Sequence, residues 1–450
     1  MATAYPSMAA PSYESATNSR FGQDGLVYLA VFLGYILLLP SQFNISIGST
    51  TLQPFRFILI PSILIVVAMG FRGRIDIRWP DILVLFATTW VCIALFVTTE
   101  ATEALTAAFA QSTDMAAAYF FARVTIRNLR DLRVFLVFMA PAIAVVGGIM
   151  IIESVTRSPI IGPLASDLTG RPFRYGSGLR MGLLRAPGPF PHPILAGVFL
   201  ASFLPLYLTV GLRGWPKWAG IFAAFTSFFT VSSAALLALT AAITLGAYHW
   251  LSERISILTW KVFFLASAVF VFVAEATGAG TYRMLIKYGS LNSSSAYNRI
   301  RIWQYGTDNV EKNPWFGLGY ADWERPEWMS ASLDHFWLNM AVRFGALPPI
   351  VVLFAVFLII LYLIRASMHA PTIDRRALVG LGITVSVFAF GAMSASLWGS
   401  VLVWFFALLG LAMSISLSYL APQNNDRMRP PLRTGNHPSM RQFRPATGRR

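Results

Sequence analysis

Two stretches of this 450-residue chain hold most of the side chains that could do chemistry. Residues 153–188 carry Arg157, Arg171, Arg174, Arg180 and Arg185, and residues 279–334 carry Arg283, Lys287, Arg299, Arg301, Lys312 and Arg325. A guanidinium is a planar, permanently charged fork that matches phosphate and carboxylate oxygens. Snorkelling toward lipid headgroups would explain any one of these arginines. It explains a cluster less well, so anion binding is the chemistry to look for.

In the second stretch, "NRIRIWQYG" predicts a helix that pairs Arg299 with Trp303 and Arg301 with Tyr305 at i,i+4 and sets the two arginines on different faces. One arginine can then face a cavity and the other a headgroup or loop. Trp303, Trp315, Trp323, Trp328 and Trp337 follow closely. An interfacial aromatic belt explains most such residues. Stacking on the C–H faces of sugars is the sharper use, for which Trp303, Trp323 and Trp337 are the candidates. Asp334 and His335 stand where an apolar run resumes. Asp334 is a candidate N-cap for a helix, and either residue is a candidate general base that takes a proton from a hydroxyl.

The first stretch runs into "GLLRAPGPFPHPILAGVF", whose prolines and glycines forbid a regular helix up to about Pro193. Arg185 and His192 therefore sit on irregular backbone entering a membrane helix, as a lined active site or a re-entrant structural turn would require. There is no Walker A motif, no Cys/His metal spacing, no G-x-S-x-G and no D-x-D in a loop. ATP hydrolysis and metal-dependent sugar-nucleotide chemistry have no support; neither metal nor cofactor is expected.

The elements that must position these residues are membrane helices. The chain is 56% hydrophobic and only 12% charged, where a soluble domain carries about a quarter charged residues. Apolar runs at about 26–40, 54–70, 81–98, 104–121, 134–152, 189–210, 218–231, 233–250, 262–278, 336–364, 377–394 and 401–420 predict an all-α polytopic bundle of twelve spans. Arg72, Arg74, Arg78, Arg123, Arg127, Arg130, Arg133, Arg213, Lys217, Arg254, Arg365, Arg375 and Arg376 fall in one set of short loops, while loops 41–53, 99–103 and 395–400 carry no Lys or Arg. Positive charge stays inside, so both termini are expected in the cytoplasm and the two arginine-rich loops outside. Residues 1–25 read as a disordered tail, 26–420 as the bundle with a core at 217–365, and 421–450 as a basic tail. The seven arginines of that tail and the net charge of +15 suit anionic lipid rather than nucleic acid. A single cysteine, Cys92, rules out an internal disulfide.

Taken together, these residues resemble the O-antigen ligase and polymerase superfamily of bacterial envelope proteins. The resemblance rests on Arg185 followed by G-x-F-x-H-P-x-x-x-G at 188–197, on R-x-x-x-W at Arg299 and Trp303 followed by P-x-x-G-x-G at Pro314, Gly317 and Gly319, and on the polar pair Asp334 and His335 opening a helix that ends at Gly345. It covers about 180–365 well and the remainder as hydropathy. The resemblance implies a metal-independent, inverting glycosyltransferase of the bacterial inner membrane, with a polyprenyl-diphosphate-linked glycan as donor. It implies pyrophosphate-holding arginines at Arg185 and Arg299, with Arg301 and Arg283 as helpers, and membrane lipids and polysaccharide export or chain-length proteins as further partners. In the family the catalytic histidine heads an H-N pair eleven residues before the glycine; here Asp334 holds that place and His335 the next. The family's Ser-Arg-Gly is replaced by Ser233 followed by Ala234.

The reading expected is repeat-unit polymerisation of O-antigen or exopolysaccharide at the periplasmic face. Ligation of the glycan to lipid A-core is the alternative within the family. A transporter or flippase of lipid-linked sugars is the alternative from another class; it would call for charges along the membrane midplane, where Asp114 and Glu275 are the candidates.

Overall fold

The structure, a computed structural model, describes residues 25–47, 50–173, 175–176, 178–278, 280–289 and 293–420. Residues 1–24 of the tail expected at 1–25, the tail at 421–450, and Arg174 lie outside the described residues. In chain order the helices are α1 (Leu26–Leu37), α2 (Arg56–Phe71), α3 (Trp79–Thr98), α4 (Ala101–Ser112), α5 (Ala118–Thr125), α6 (Leu129–Thr156), α7 (Ile161–Thr169), α8 (Pro193–Thr209) and α9 (Trp215–Phe225). They continue with α10 (Ser233–Ser252), α11 (Trp260–Ala276), α12 (Thr281–Gly289), α13 (Ser293–Lys312), α14 (Phe336–Phe344), α15 (Leu347–His369), α16 (Thr372–Gly391) and α17 (Gly399–Leu420). Two short hairpins complete it: β1 (Ile45–Ile47) with β2 (Thr50–Leu52), and β3 (Leu179–Arg180) with β4 (Leu183–Leu184).

Among the described residues five helices, α3, α6, α10, α15 and α17, are long and apolar enough to cross a membrane, and α1, α2 and α8 are apolar but shorter. The chain is thus an all-α, multi-pass membrane protein. Several expected boundaries shift. The run at 104–121 is α4 and α5 joined by a π-helical stretch, Thr113–Ala117, and the expected single span 336–364 is two helices. The loops expected at 153–188 and 279–334 contain α7, α12 and α13.

The core is built on α17, with 89% of its apolar window buried. Trp404 of α17 stacks on Phe203 of α8 at 4.9 Å between ring centres and donates its Nε1–H to Ser202 Oγ at 3.1 Å. Gly410 lets α17 approach α5 closely, since a Cβ there would strike the Tyr119 carbonyl. Charges inside the bundle are paired, as burial demands. Arg123 reaches both carboxylate oxygens of the fully buried Asp81, which also accepts from Tyr119. Asp114 takes a two-pronged contact from Arg56 at 2.9 and 2.8 Å, so this candidate for a midplane transport charge is closed. Glu275 is exposed and accepts from the Thr281 backbone N–H at the corner between α11 and α12.

Two joints hold the irregular backbone. At the end of α6, the fully buried Glu153 carboxylate accepts from the backbone N–H groups of Ile160 and Ile161 with one oxygen and from Gly188 N–H with the other, at 2.7, 3.0 and 3.0 Å. Ser154 adds a bond to the Leu184 carbonyl. Gly188 has φ +55° and lies against Met150, a combination that disfavours any side chain. The second joint separates α14 from α15. Leu318 and Gly319 N–H donate to the Val342 and Arg343 carbonyls, and Ala346 N–H donates to the Pro314 carbonyl. Gly345 (φ +87°) abuts the Trp315 carbonyl and Gly317 (φ +65°) abuts the backbone of Arg343, so a Cβ at either would collide. The P-x-x-G-x-G segment and the helix-ending glycine are therefore two halves of one contact.

Replacing Glu153 by Ala orphans the buried Gly188 N–H, at a cost of about 1–3 kcal/mol, and the partly buried N–H groups of Ile160 and Ile161 at less each. A loss of about 3 kcal/mol or more is expected in detergent-solubilised protein, seen as a lowered Tm together with faster proteolysis between 157 and 187. Glu153→Gln, which turns an NH2 toward a backbone N–H, should show part of that loss. An unchanged Tm in both variants would remove Glu153 from this role.

Candidate active site

Four breaks in the helical pattern meet around the arginines. The first is the loop 185–192 leading into α8. The second is the 3-10 turn Thr226–Thr230 before α10, ending at Val231 with φ 44°, a left-handed conformation unusual for a β-branched residue. The third is the start of α14, and the fourth is the turn Ala392–Trp398 between α16 and α17. They are stitched together by backbone bonds: Ala186 N–H donates to the Phe229 carbonyl at 3.2 Å, and Phe336 N–H to the carbonyls of Ala392 and Ala395 at 2.9 and 3.0 Å. Gly197 allows α8 to lie against Ala235 of α10 and Thr230 of the turn before it.

Arg185, Arg299, Asp334 and His335 are brought to this junction. Arg299 of α13 is buried and donates to the Ser394 carbonyl at 3.4 Å. Burial holds its guanidinium below the ordinary value, while the nearby Asp334 and Tyr282 oppose that shift. Arg185 is half-buried, and its Nε has no hydrogen-bond partner. Burial first, and then the charge of Arg180, lower it to about 10, so it stays protonated at neutral pH. Arg180 itself arrives from the β3–β4 hairpin and donates to the Val231 carbonyl at 3.2 Å. That hairpin turns at Met181 (φ 53°) and Gly182 (φ 78°), as a two-residue primed turn requires. No basic side chain comes from Ser233 or Ala234; the third cation is supplied by Arg180. Three guanidinium groups within electrostatic reach of one another, with Asp334 acting on two of them, leave a surplus of positive charge, which an anion would neutralise.

His335 and His192 share a geometry. The N-cap of α14 is His335 rather than Asp334: its Nδ1 accepts from Leu338 N–H at 3.1 Å. The N-cap of α8 is His192, whose Nδ1 accepts from Ile194 N–H at 3.2 Å. With the Nδ1 lone pair occupied, the neutral ring of each carries its proton on Nε2. His335 Nε2 is buried and has no partner, so it presents a hydrogen-bond donor. Burial lowers His335 to about 4 and lowers His192 as well, with Arg185 adding to the effect there. Asp334, left out of the cap, is a partly exposed carboxylate within electrostatic reach of both Arg185 and Arg299.

The aromatic candidates divide. Trp303 keeps 40% of its surface and lies 5.3 Å from the His335 ring and 4.7 Å from Tyr282, centre to centre. Trp323 and Trp337 are buried and bonded, through Nε1, to the carbonyls of Ala331 and Ala389. They pack the protein and offer no face to a sugar. Arg301 is turned out of the site, stacked on and hydrogen-bonded to Tyr297, and Arg283 is exposed. Reasoning from sequence counted Arg180 in the arginine cluster without assigning it to the site, and missed Tyr282. The Met181–Gly182 turn was a usable signal for the first; for Tyr282, whose buried hydroxyl is unpartnered and pushed up to about 12 by burial, there was none.

Below the arginines an apolar groove of about 610 Å³ runs between α10, α11, α15 and α16. It extends from Trp260, Ser367 and Leu378 up to Phe390, two residues before the 392–398 connection that receives Arg299. Leu378 to Phe390 on α16 spans about 18 Å at 1.5 Å per residue. Phe264 and Ile364 on its walls are exposed.

Residues 218–347 match the model of a family described as O-antigen ligase. No curated protein matches the chain. The matched stretch runs from α9 to the first residue of α15, so Arg299, Asp334 and His335 lie inside it and Arg180, Arg185 and His192 lie upstream.

Because the folded-state value of His335 lies below the ordinary 6.5, the unfolded chain takes up this proton first on acidification. Stability should be unaffected by this group above about pH 6.5 and fall between there and about pH 4. NMR of ring-labelled histidine is expected to show His335 titrating near 4 with no event between pH 5 and 8. A midpoint near 6.5 would contradict the buried, Nδ1-bonded ring.

Proposed function

We propose, from the premise that residues 218–347 belong to the O-antigen ligase superfamily, that this protein transfers a glycan from a polyprenyl-diphosphate carrier to a sugar hydroxyl, in the manner of a repeat-unit polymerase. With twelve crossings and both termini in the cytoplasm, the junction faces the periplasm of a bacterial inner membrane. The observation that carries the reading is the convergence of Arg180, Arg185 and Arg299 on irregular backbone at the head of an apolar groove. A diphosphate joined to a long isoprenoid tail has those two ends.

In this mechanism Arg299 and Arg185 hold the diphosphate and stabilise the charge that grows on it as the anomeric C–O bond breaks. The acceptor oxygen attacks the anomeric carbon from the opposite face, which inverts it. The bonding electrons leave with the phosphate oxygen, and the acceptor proton goes to the Asp334 carboxylate. The products are the extended glycan and the carrier diphosphate. His335 suits the donor role rather than the base role, since its free position is an N–H and burial keeps it neutral. Trp303 offers a half-open ring beside it. The donor is already activated, so the reaction calls for neither nucleotide nor metal.

A transporter has less support, because Asp114 is closed by Arg56 and Glu275 lies at a helix end.

The test is the purified protein in nanodiscs with a synthetic polyprenyl-diphosphate oligosaccharide, scored for longer lipid-linked chains and released carrier diphosphate. Transfer to added lipid A-core without chain growth would assign ligation instead. Arg299→Lys and Arg185→Lys, which lose the fork, should lower turnover by ~100-fold or more, while Arg301→Ala and Arg283→Ala stay near wild type. Asp334→Asn should lose about 10²–10⁴ in kcat. His335→Asn, which can still cap α14, should retain more activity than Asp334→Asn. Full activity in Asp334→Asn would move the base elsewhere, and passage of lipid-linked sugar across vesicles with no product would favour transport.

A further inference from the structure

A second, polar cleft of about 390 Å³, within the range of small-ligand sites, borders the same 188–191 loop but contains none of the arginine-site side chains. Its walls are Gln42 and Asn44 from the connection after α1, Arg171 and Phe173 from the segment after α7, and the prolines of the loop itself. Asn44 Nδ2 donates to the Ser41 carbonyl at 2.8 Å, which fixes the carboxamide, and its Oδ1 is buried with no hydrogen-bond partner. Gln42 makes one long contact, 3.5 Å, to the Gly162 carbonyl. A Cβ on Gly162 would strike the Phe173 ring, so that glycine lets the ring lie over α7.

These groups suit a saccharide. Two carboxamides supply donors and acceptors for hydroxyl groups, an aromatic ring and prolines supply apolar surface for C–H faces, and the rigid prolines cost little to order. Arg171, the one cation among the described residues that line the cleft, already reaches Ser46 Oγ at 3.3 Å, which argues against a polyphosphate. The cleft also connects to the arginines. Phe173 stacks on Tyr175 at 6.0 Å, and Tyr175 OH donates to the Arg185 carbonyl at 3.0 Å. Pro191, on the cleft wall, is followed directly by His192.

We propose that this cleft binds the terminal saccharide of the acceptor chain and directs its hydroxyl past Pro191 toward Asp334. The proposal rests on the glycan-transfer reading given above. It separates the two substrates: the diphosphate donor is held by α13 and the 185 loop, and the acceptor by the outer connections after α1 and α7.

Saturation-transfer NMR on the full chain in nanodiscs, with free oligosaccharide released by mild acid from the host's lipid-linked repeat units, tests binding without any turnover. Wild type should transfer saturation to the sugar ring protons. Gln42→Trp, which fills the cleft, should abolish the signal, and Gln42→Ala, which loses only one long contact, should weaken affinity about tenfold. In the transfer assay both variants should raise the acceptor KM and leave the donor KM unchanged. Binding that is lost in Gln42→Trp while no donor is ever consumed would keep the cleft and reject the transfer reading. Normal acceptor KM in both variants of an active enzyme would keep the transfer reading and reject the cleft, as would oligosaccharide binding equally well to all three proteins.

Discussion

Backbone that leaves helical geometry beside a bilayer must find partners for its amides and carbonyls inside the protein, and the whole site depends on how this chain meets that demand. The Glu153 carboxylate does so on the upstream side by gathering three amides from two segments. The 314–319 segment does so downstream by giving its amides to the last carbonyls of α14. Between them, these joints permit the chain to bring Arg185 and His335 together from positions 150 residues apart. Preorganisation of this kind is what makes charge stabilisation effective, since the donors need not reorient as the reaction proceeds.

The electrostatics follow from the same arrangement. Arginines that crowd one another are held below their ordinary values by burial and mutual repulsion, yet remain charged. Both histidines are lowered by burial too, and because each spends its Nδ1 on the first turn of a helix, the neutral ring keeps its N–H at Nε2. Asp334 is the carboxylate left uncommitted by this division.

Much of this was legible in the sequence, for reasons that differ by residue. Hydropathy marks the long helices because the bilayer imposes their length, and the Pro/Gly run before Pro193 marks where α8 begins because proline cannot continue a helix upstream of its first turn. The i,i+4 rule places Arg299 and Arg301 apart, and one is indeed buried while the other is only partly buried and turned to Tyr297. What was not legible depends on contacts between distant segments. Nothing local tells that Trp323 and Trp337 are interior while Trp303 is half open. Capping preference alone favours Asp334, yet His335 caps α14, a choice made by where Phe336 N–H is anchored on the 392–395 turn. The break at Gly345 is invisible to a hydropathy window that runs smoothly through it.

The apolar groove has a kinetic consequence of its own. Its walls at Phe264 and Ile364 are exposed on the flank of the apolar bundle, so on the proposed reading a carrier tail would enter and leave by lateral movement within the membrane plane. The encounter is two-dimensional, and saturation is governed by carriers per unit area of bilayer instead of by molar concentration. Dilution with plain lipid at fixed total substrate therefore slows such an enzyme, whereas dilution with buffer does not.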